Sequence, residues 1–282
     1  MAEIFVNPFT DFGFKKLFGE EVNKELLIDF LNELLPLKEH KIANLTYLKN
    51  EHLSNHEEDR RAIFDLYCES DRGDKFIVEI QRAKQKFFKD RSIYYATFPI
   101  QEQAKTGKKW DFELKAVYTV AIMDFEFENG RRKRKDASPY LHKIQLMDTD
   151  RQTVFYKKLT FIYLEMPRFK KEEHELKTHF DKWLYILKNL HKLQSRSPSL
   201  QERIFQKLFD VAEIAKFAPK ERMAYHEALK NYRDFINVVD TAIEDREIKM
   251  VRGLLKEGLD EQAIARVTGW TIDTIQEFKK KN

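Results

Sequence analysis

The stretch "FDLYCESDRGDKFIVEIQ", Phe64 to Gln81, constrains the fold most: two strand-like runs flank a tight turn, yet Asp65, Glu79 and Gln81 stand among their apolar residues. With Gly73 in the left-handed position of a three-residue turn, Ser70 pairs with Asp74, and counting back sets Asp65 directly opposite Glu79. Opposed side chains on antiparallel strands have Cβ atoms roughly 4.5–5.5 Å apart, and the period of two puts Gln81 on the same face. Two carboxylates that close repel each other, and in an apolar setting one of them protonates unless a cation sits between them. A divalent ion removes the conflict. Oxygen-only ligands favour Mg²⁺ or Mn²⁺, and Mg²⁺ keeps several waters beside one or two carboxylates. Such an ion polarises a phosphoryl oxygen and lowers the pKa of its bound water. Spacing alone favours a bland alternative, in which Asp65 and Glu79 lie on a solvated face of the hairpin.

Elsewhere the apolar spacing alternates between helix and strand. In "TDFGFKKLFGEEVNKELLIDFLNELLP", Phe14, Leu17 and Phe18, then Leu26, Leu27, Phe30, Leu31 and Leu34, predict two helices broken near Gly19 and stopped at Pro36. "AKQKFFKDRSIYYATFPIQEQAK" predicts a helix from Ala83 to about Lys105, with Phe87, Arg91, Tyr94, Tyr95 and Phe98 on one side, a bend at Pro99 and an end at Gly107. "ELKAVYTVAIMDF", "YLHKIQLM" and "LTFIYLEM" have the length and β-branched or aromatic content of strands. After Pro167 the pattern becomes long helices, which sets a boundary near 168 to 172. The first part is therefore mixed α/β and the remainder α-helical.

At 282 residues the chain exceeds one typical domain. Its single cysteine, Cys68, excludes an internal disulfide and a multi-cysteine zinc site, fits a reducing compartment and makes the cytoplasm the expected location. On strand alternation Cys68 points away from Asp65 and reads as a packed thiol. No run approaches the roughly 20 apolar residues that span a bilayer, and the N-terminus lacks a signal-peptide pattern. The balance of 51 basic against 47 acidic residues permits a polyanionic partner without demanding one. Basic character is local: "RRKRK", residues 131 to 135, falls between two strand runs as a contact for a nucleic-acid backbone or a solvated loop, and Lys84, Lys86, Lys89 and Arg91 follow the hairpin. His52 and His56 have no third ligand to make a metal site of them. In "DEQAIARVTGWTIDTIQEFKKK" the spacing of Ala265, Gly269 and Ile275 resembles a helix-turn-helix, although Asp273 and Glu277 oppose a major-groove role and Lys279 to Lys281 suit only phosphates. A helical hairpin that packs or dimerises is the alternative.

The pattern Asp65, thirteen residues, then Glu79-Ile80-Gln81, on a hairpin before a helix with Arg91 and Tyr95, resembles the PD-(D/E)xK nuclease superfamily. More narrowly it is similar to the recombination-promoting nuclease and transposase family, over about the first 170 residues from "NPFTDFGFKKLFG" to "LTFIYLEMPRFKK". The resemblance implies a restriction-endonuclease-like core, a central mixed sheet flanked by helices, at 1–170; the residue pattern adds a helical region at 171–245 and the helix-turn-helix-like segment at 246–282. The resemblance also implies Asp65 and Glu79 as metal-binding carboxylates, Gln81 where the motif has its lysine, and Asp11 as an acid brought in by the N-terminal helix. Asp11 also reads simply as a helix N-cap. Gln103 is supported by the resemblance, and Arg91, Lys84, Arg131, Arg132 and Lys133 are the candidate DNA contacts. The implied activity is a Mg²⁺-dependent DNA endonuclease, with Mn²⁺ as a substitute and catalytic roles for Asp65, Glu79, Gln81 and Asp11. Because Gln only hydrogen-bonds where Lys carries charge, a non-catalytic DNA-binding or regulatory protein is the runner-up. A scaffold built on the helical tail is the third reading. A homodimer is left open, and no membrane is expected.

Overall fold

The first helix, α1 (Asp11–Phe18), starts because the extended Thr10 turns its Oγ1 to accept from the Gly13 amide at 2.9 Å, satisfying a first-turn donor that the helix cannot. This corrects the expected cap: Thr10 fills that role and Asp11 lies inside the first turn. Gly13 is needed because a Cβ there would come 2.1 Å from the Asn7 carbonyl oxygen. Phe14, Leu17 and Phe18 bury one face, Gly19 closes the helix, and α2 (Lys24–Leu34) buries Leu26, Leu27, Phe30, Leu31 and Leu34. The break falls at Gly19, as the spacing predicts.

The computed structural model describes residues 3–35, 41–49, 51–52, 62–104, 111–127 and 140–281. After α2 come β1 (Leu45–Tyr47), β2 (Glu51–His52), β3 (Ala62–Ile63), β4 (Leu66–Ser70) and β5 (Lys75–Gln81). Helix α3 (Phe88–Gln101) crosses to β6 (Val117–Met123), and β7 (Leu141–Asp148) and β8 (Thr153–Glu165) close the sheet. Six of these strands form one mixed sheet in the order β1-β4-β5-β6-β8-β7, while β2 and β3 pair separately. Its centre, β5-β6-β8, is parallel, and its flanking pairs are antiparallel.

Burial on both faces explains the near-continuous apolar runs. One face packs Val117, Ala121, Met123, Phe161 and Tyr163 against Phe88 and Ala96 of α3, with Tyr95 and Phe98 on Phe64, Tyr67 and Ile77. On the other, Leu66, Cys68, Phe76, Val78, Val120, Ile122, Ile162 and Leu164 are all buried. Helix α3 begins at Phe88, five residues later than expected. The Gln81 side chain donates to the Ala83 carbonyl, and Phe87 holds the left-handed φ of 63°, so the preceding residues turn instead of winding. The helix stops at Gln101; the expected end at Gly107 lies outside the described residues.

Contacts divide the chain into units 1–228 and 229–282. Helices α4 (His179–Asn189) and α5 (Arg203–Ala212) thus belong with the sheet, beyond the boundary expected near 168 to 172. The reason is aromatic burial. Trp183, fully buried, meets Phe18, Phe30 and Phe205 at centroid distances of 5.9, 5.5 and 5.3 Å, and its Nε1 donates to Asp29 at 2.6 Å.

Helix α6 (Pro219–Lys256) runs from the first unit into the second. There α7 (Glu261–Thr268) and α8 (Ile272–Lys281) meet at Gly269, whose φ of 80° caps α7. Val251, Ile264 and Ile275 are the buried core, with Ala265, Trp270 and Phe278 packed on it.

Candidate active site

The hairpin has the register counted from its turn. Ser70 N donates to Asp74 O and Gly73 N to Ser70 O, both at 2.9 Å, with Gly73 at φ 84°. Leu66 pairs with Val78, so the next positions outward, Asp65 and Glu79, oppose each other. Asp65 Oδ2 accepts from Ile80 N at 2.8 Å, tying the end of one strand to the other. Gln81 is buried on the same face as Glu79. The solvated-face alternative does not hold for Glu79, which is 7% exposed.

Burial has electrostatic consequences. It holds the Asp65 carboxyl above its usual range, against the Ile80 hydrogen bond and with the charge of Asp11 adding to the rise. It pushes Glu79 up to about 7, with repulsion from Asp65 adding and Arg91 opposing. One Glu79 oxygen, Oε1, is buried with no hydrogen-bond partner. Arg91 at Glu79, and Lys15 and Arg82 at Asp65, offset the rise only in part, and an orphaned buried oxygen is a cost that a ligand can remove.

Arg91 reaches the site from α3. Its Nη2 lies 2.9 Å from Gln81 Oε1 and 3.3 Å from Glu79 Oε2, and its Nη1 donates to Gln85 Oε1. The guanidinium sits 5.2 Å from the Tyr95 ring centroid and 5.7 Å from that of Phe88. Arg91 and Tyr95 thus act together, the ring as a platform for the cation.

The other candidates separate. Asp11 is exposed and pairs with Lys15 at 2.9 Å, so it acts on Asp65 only through its charge. Among the described residues no group of three or more His, Cys, Asp and Glu side chains is placed to hold a metal; the oxygen donors brought together are Asp65, Glu79 and Gln81. Lys84 is exposed. Gln103 accepts from Lys115 N at 2.6 Å and donates to Pro99 O at 3.0 Å, contacts that tie the end of α3 to the next segment. Arg131, Arg132 and Lys133, and the side chains of His52 and His56, lie outside the described residues. Cys68 is fully buried, burial pushes its thiol up to about 12, and its Sγ faces Phe76 O, as a packed thiol should.

Two features escape the sequence reading. Gln85 anchors Arg91, and its signal was hidden inside a segment expected to be helical. Glu165, fully buried at the end of β8, is bound by Arg168 Nε and by the Phe127 amide at 3.2 Å; an acid in the apolar run "YLEMPR" with arginine three residues on is the visible signal. No described helix is long and apolar enough to cross a membrane.

The family model described as PD-(D/E)XK nuclease family transposase matches residues 8–242 of the chain. The match takes in the sheet, α1 to α5 and the first part of α6, well past the 170 residues of the sequence resemblance. No curated protein and no solved structure matches.

Proposed function

The chain belongs to the PD-(D/E)XK nuclease family transposases, and from that premise we propose that it is a divalent-metal-dependent endonuclease hydrolysing DNA phosphodiester bonds at the Asp65–Glu79 hairpin. The observation that carries the reading is the buried Glu79, its Oε1 unpartnered, beside the half-buried Asp65 at the end of the neighbouring strand. The donor set fits a hard cation: two carboxylates, no sulfur and no imidazole. Asp65 and Glu79 would hold Mg²⁺, or Mn²⁺ in its place. Bound there, the ion supplies Lewis-acid polarisation of a phosphoryl oxygen and a more acidic water.

The chain's own residues do the positioning. Asp65 is fixed by the Ile80 amide and Glu79 by the strand and Arg91. Gln81, anchored through Nε2 to Ala83 O, keeps a lone pair on Oε1 with which to orient the attacking water. Asp11 adds negative charge from outside the pair.

Cleavage of supercoiled plasmid with Mg²⁺, Mn²⁺ or EDTA tests this. Metal-dependent nicking that Asp65→Ala and Glu79→Ala abolish is the expected result. A second reading, a DNA-binding protein that kept the fold without turnover, is favoured by Gln81 at the lysine position. It predicts salt-sensitive DNA binding that EDTA leaves intact, with no cutting under any metal, and that outcome would sink the nuclease assignment. The homodimer considered from the sequence finds no support and forms no part of the proposal.

A further inference from the structure

The acidic hairpin carries two carboxylates and a neutral amide, and the cation that touches Glu79 and Gln81 comes from another element. Arg91 Nη2 bridges Gln81 Oε1 at 2.9 Å and Glu79 Oε2 at 3.3 Å, while Gln85 fixes Nη1. That accounts for both outer nitrogens. The remaining donor, Nε, is buried and has no hydrogen-bond partner, although Arg91 as a whole is one-third exposed. Beside it Glu79 Oε1 is equally buried and equally unpartnered.

Two orphans of opposite kind in one contact pair are informative. A buried N–H without an acceptor and a buried carboxylate oxygen without a cation or donor each cost stability. A ligand that satisfies both must present an anionic oxygen to Arg91 and positive charge to Glu79. A phosphodiester accompanied by a divalent ion has that composition. Glu79 engages Arg91 through Oε2 and leaves Oε1 unpartnered, so it would hold an ion without giving up Arg91.

We infer that Arg91 is a catalytic residue that binds the scissile phosphate, supplying from α3 the positive charge that Gln81 cannot supply from β5. The assignment rests on the nuclease reading of the same site. A guanidinium suits the task because it stays charged, presents donors in a fixed fork and stacks on aromatic rings; the Tyr95 and Phe88 rings hold it. Gln81 then has a second role beside orienting water, as the acceptor that aims Arg91.

The test compares Arg91→Met, Arg91→Lys and the double variant Arg91→Met/Gln81→Lys with wild type, in three measurements on the full chain: plasmid nicking, Mn²⁺ binding by calorimetry, and the salt dependence of duplex DNA binding in EDTA. Arg91→Met should slow nicking about 10²–10³-fold while Mn²⁺ binding is kept or tightened. It should also reduce the slope of log K against log salt by about one. Arg91→Lys should retain part of the rate, and Gln81→Lys in the double variant should restore at least about tenfold by returning charge to the site. Nicking within threefold of wild type in Arg91→Met, or an unchanged salt slope, overturns the assignment. So does loss of Mn²⁺ binding together with failure of the double variant to recover, since that pattern marks a purely structural arginine. If wild type never nicks yet the slope still falls by one in Arg91→Met, the nuclease reading fails and the phosphate contact stands.

Discussion

Glu79 and Glu165 stand on the same face of one sheet, near the same ends of two parallel strands, and Glu165 lies in the row that runs from Gln81 through Met123. Both are buried, with side-chain exposures of 9% and 0%. Their surroundings are opposite. Glu165 has Arg168 on Oε2 and the Phe127 amide on Oε1, and Arg168 is itself held by Glu126 at 3.0 Å. Glu79 has Asp65 against it, one long contact to Arg91 and an oxygen with nothing. Burial alone therefore does not distinguish a functional carboxylate from a structural one; the supply of partners does. Glu165 locks the end of β8 to the following turn, whereas Glu79 is left in deficit.

The contrast is broken most directly at Glu79. Glu79→Gln keeps the shape and the contact to Arg91 but removes the charge, so nicking should fall by at least about 10³-fold, a barrier change of about 4 kcal/mol, while the urea midpoint stays level or rises. Equal losses of activity and stability would make Glu79 a structural residue like Glu165. The mirror experiment is Glu165→Gln. It leaves the half-buried Arg168 against a neutral oxygen and should cost about 3 kcal/mol of stability, at the low end for a broken pair with a buried carboxylate because Glu126 remains. Mn²⁺ affinity should not change, and a weaker Mn²⁺ isotherm in a folded Glu165→Gln protein would extend the site across the sheet.

The same contrast has a pH signature. Glu79 is raised from 4.5 to about 7 by burial first and Asp65 second, so in EDTA the folded state holds its proton where the unfolded chain has lost it. Linkage then gives stability that is full below about 4.5 and falls as pH rises toward 7, by at most about 3 kcal/mol. Asp65, raised in the same direction, adds to that slope. Glu79→Gln cannot ionise there, so its stability advantage over wild type should grow across pH 4.5–7 and level off above. A flat difference between the two proteins over that interval would show that Arg91 already neutralises Glu79 in full.

How much of this could be read from the sequence depends on the range of the contacts. The hairpin register follows from local rules: a glycine at positive φ, a three-residue turn and the period of two fix which residues oppose. The helix break at Gly19 and the helical end of the chain are likewise local. The partners of the two glutamates are not. Arg91 reaches Gln81 because α3 starts at Phe88 after a left-handed phenylalanine, a conformation that a bulky aromatic rarely adopts and no spacing announces. Trp183 joins Asp29 across 154 residues, which is why the helices after Pro167 belong with the sheet when composition alone suggests a boundary there. Asp11 was legible as an acid near a helix start, but its cap role belonged to the neighbouring Thr10.

The smallest expected effect is at Asp11, and it sharpens the distinction between charge that ligates and charge that acts through space. Asp11 is more than half exposed and already paired with Lys15 four residues on, a helix pair worth about 0.3–0.5 kcal/mol. Asp11→Asn gives up that pair but relieves part of the repulsion on Asp65, so in EDTA near pH 7 the two changes oppose each other and stability should move by less than about 0.5 kcal/mol. Mn²⁺ should bind only a fewfold more weakly, because an exposed charge outside the ligand pair is screened, and that weakening should shrink further as salt is raised. A ligating Asp11 would behave otherwise: its loss would weaken Mn²⁺ binding as severely as Asp65→Ala does, at every salt concentration. That result would require the N-terminal helix to close on the hairpin when the ion arrives, and it would place Asp11 among the catalytic acids on the same footing as Glu79.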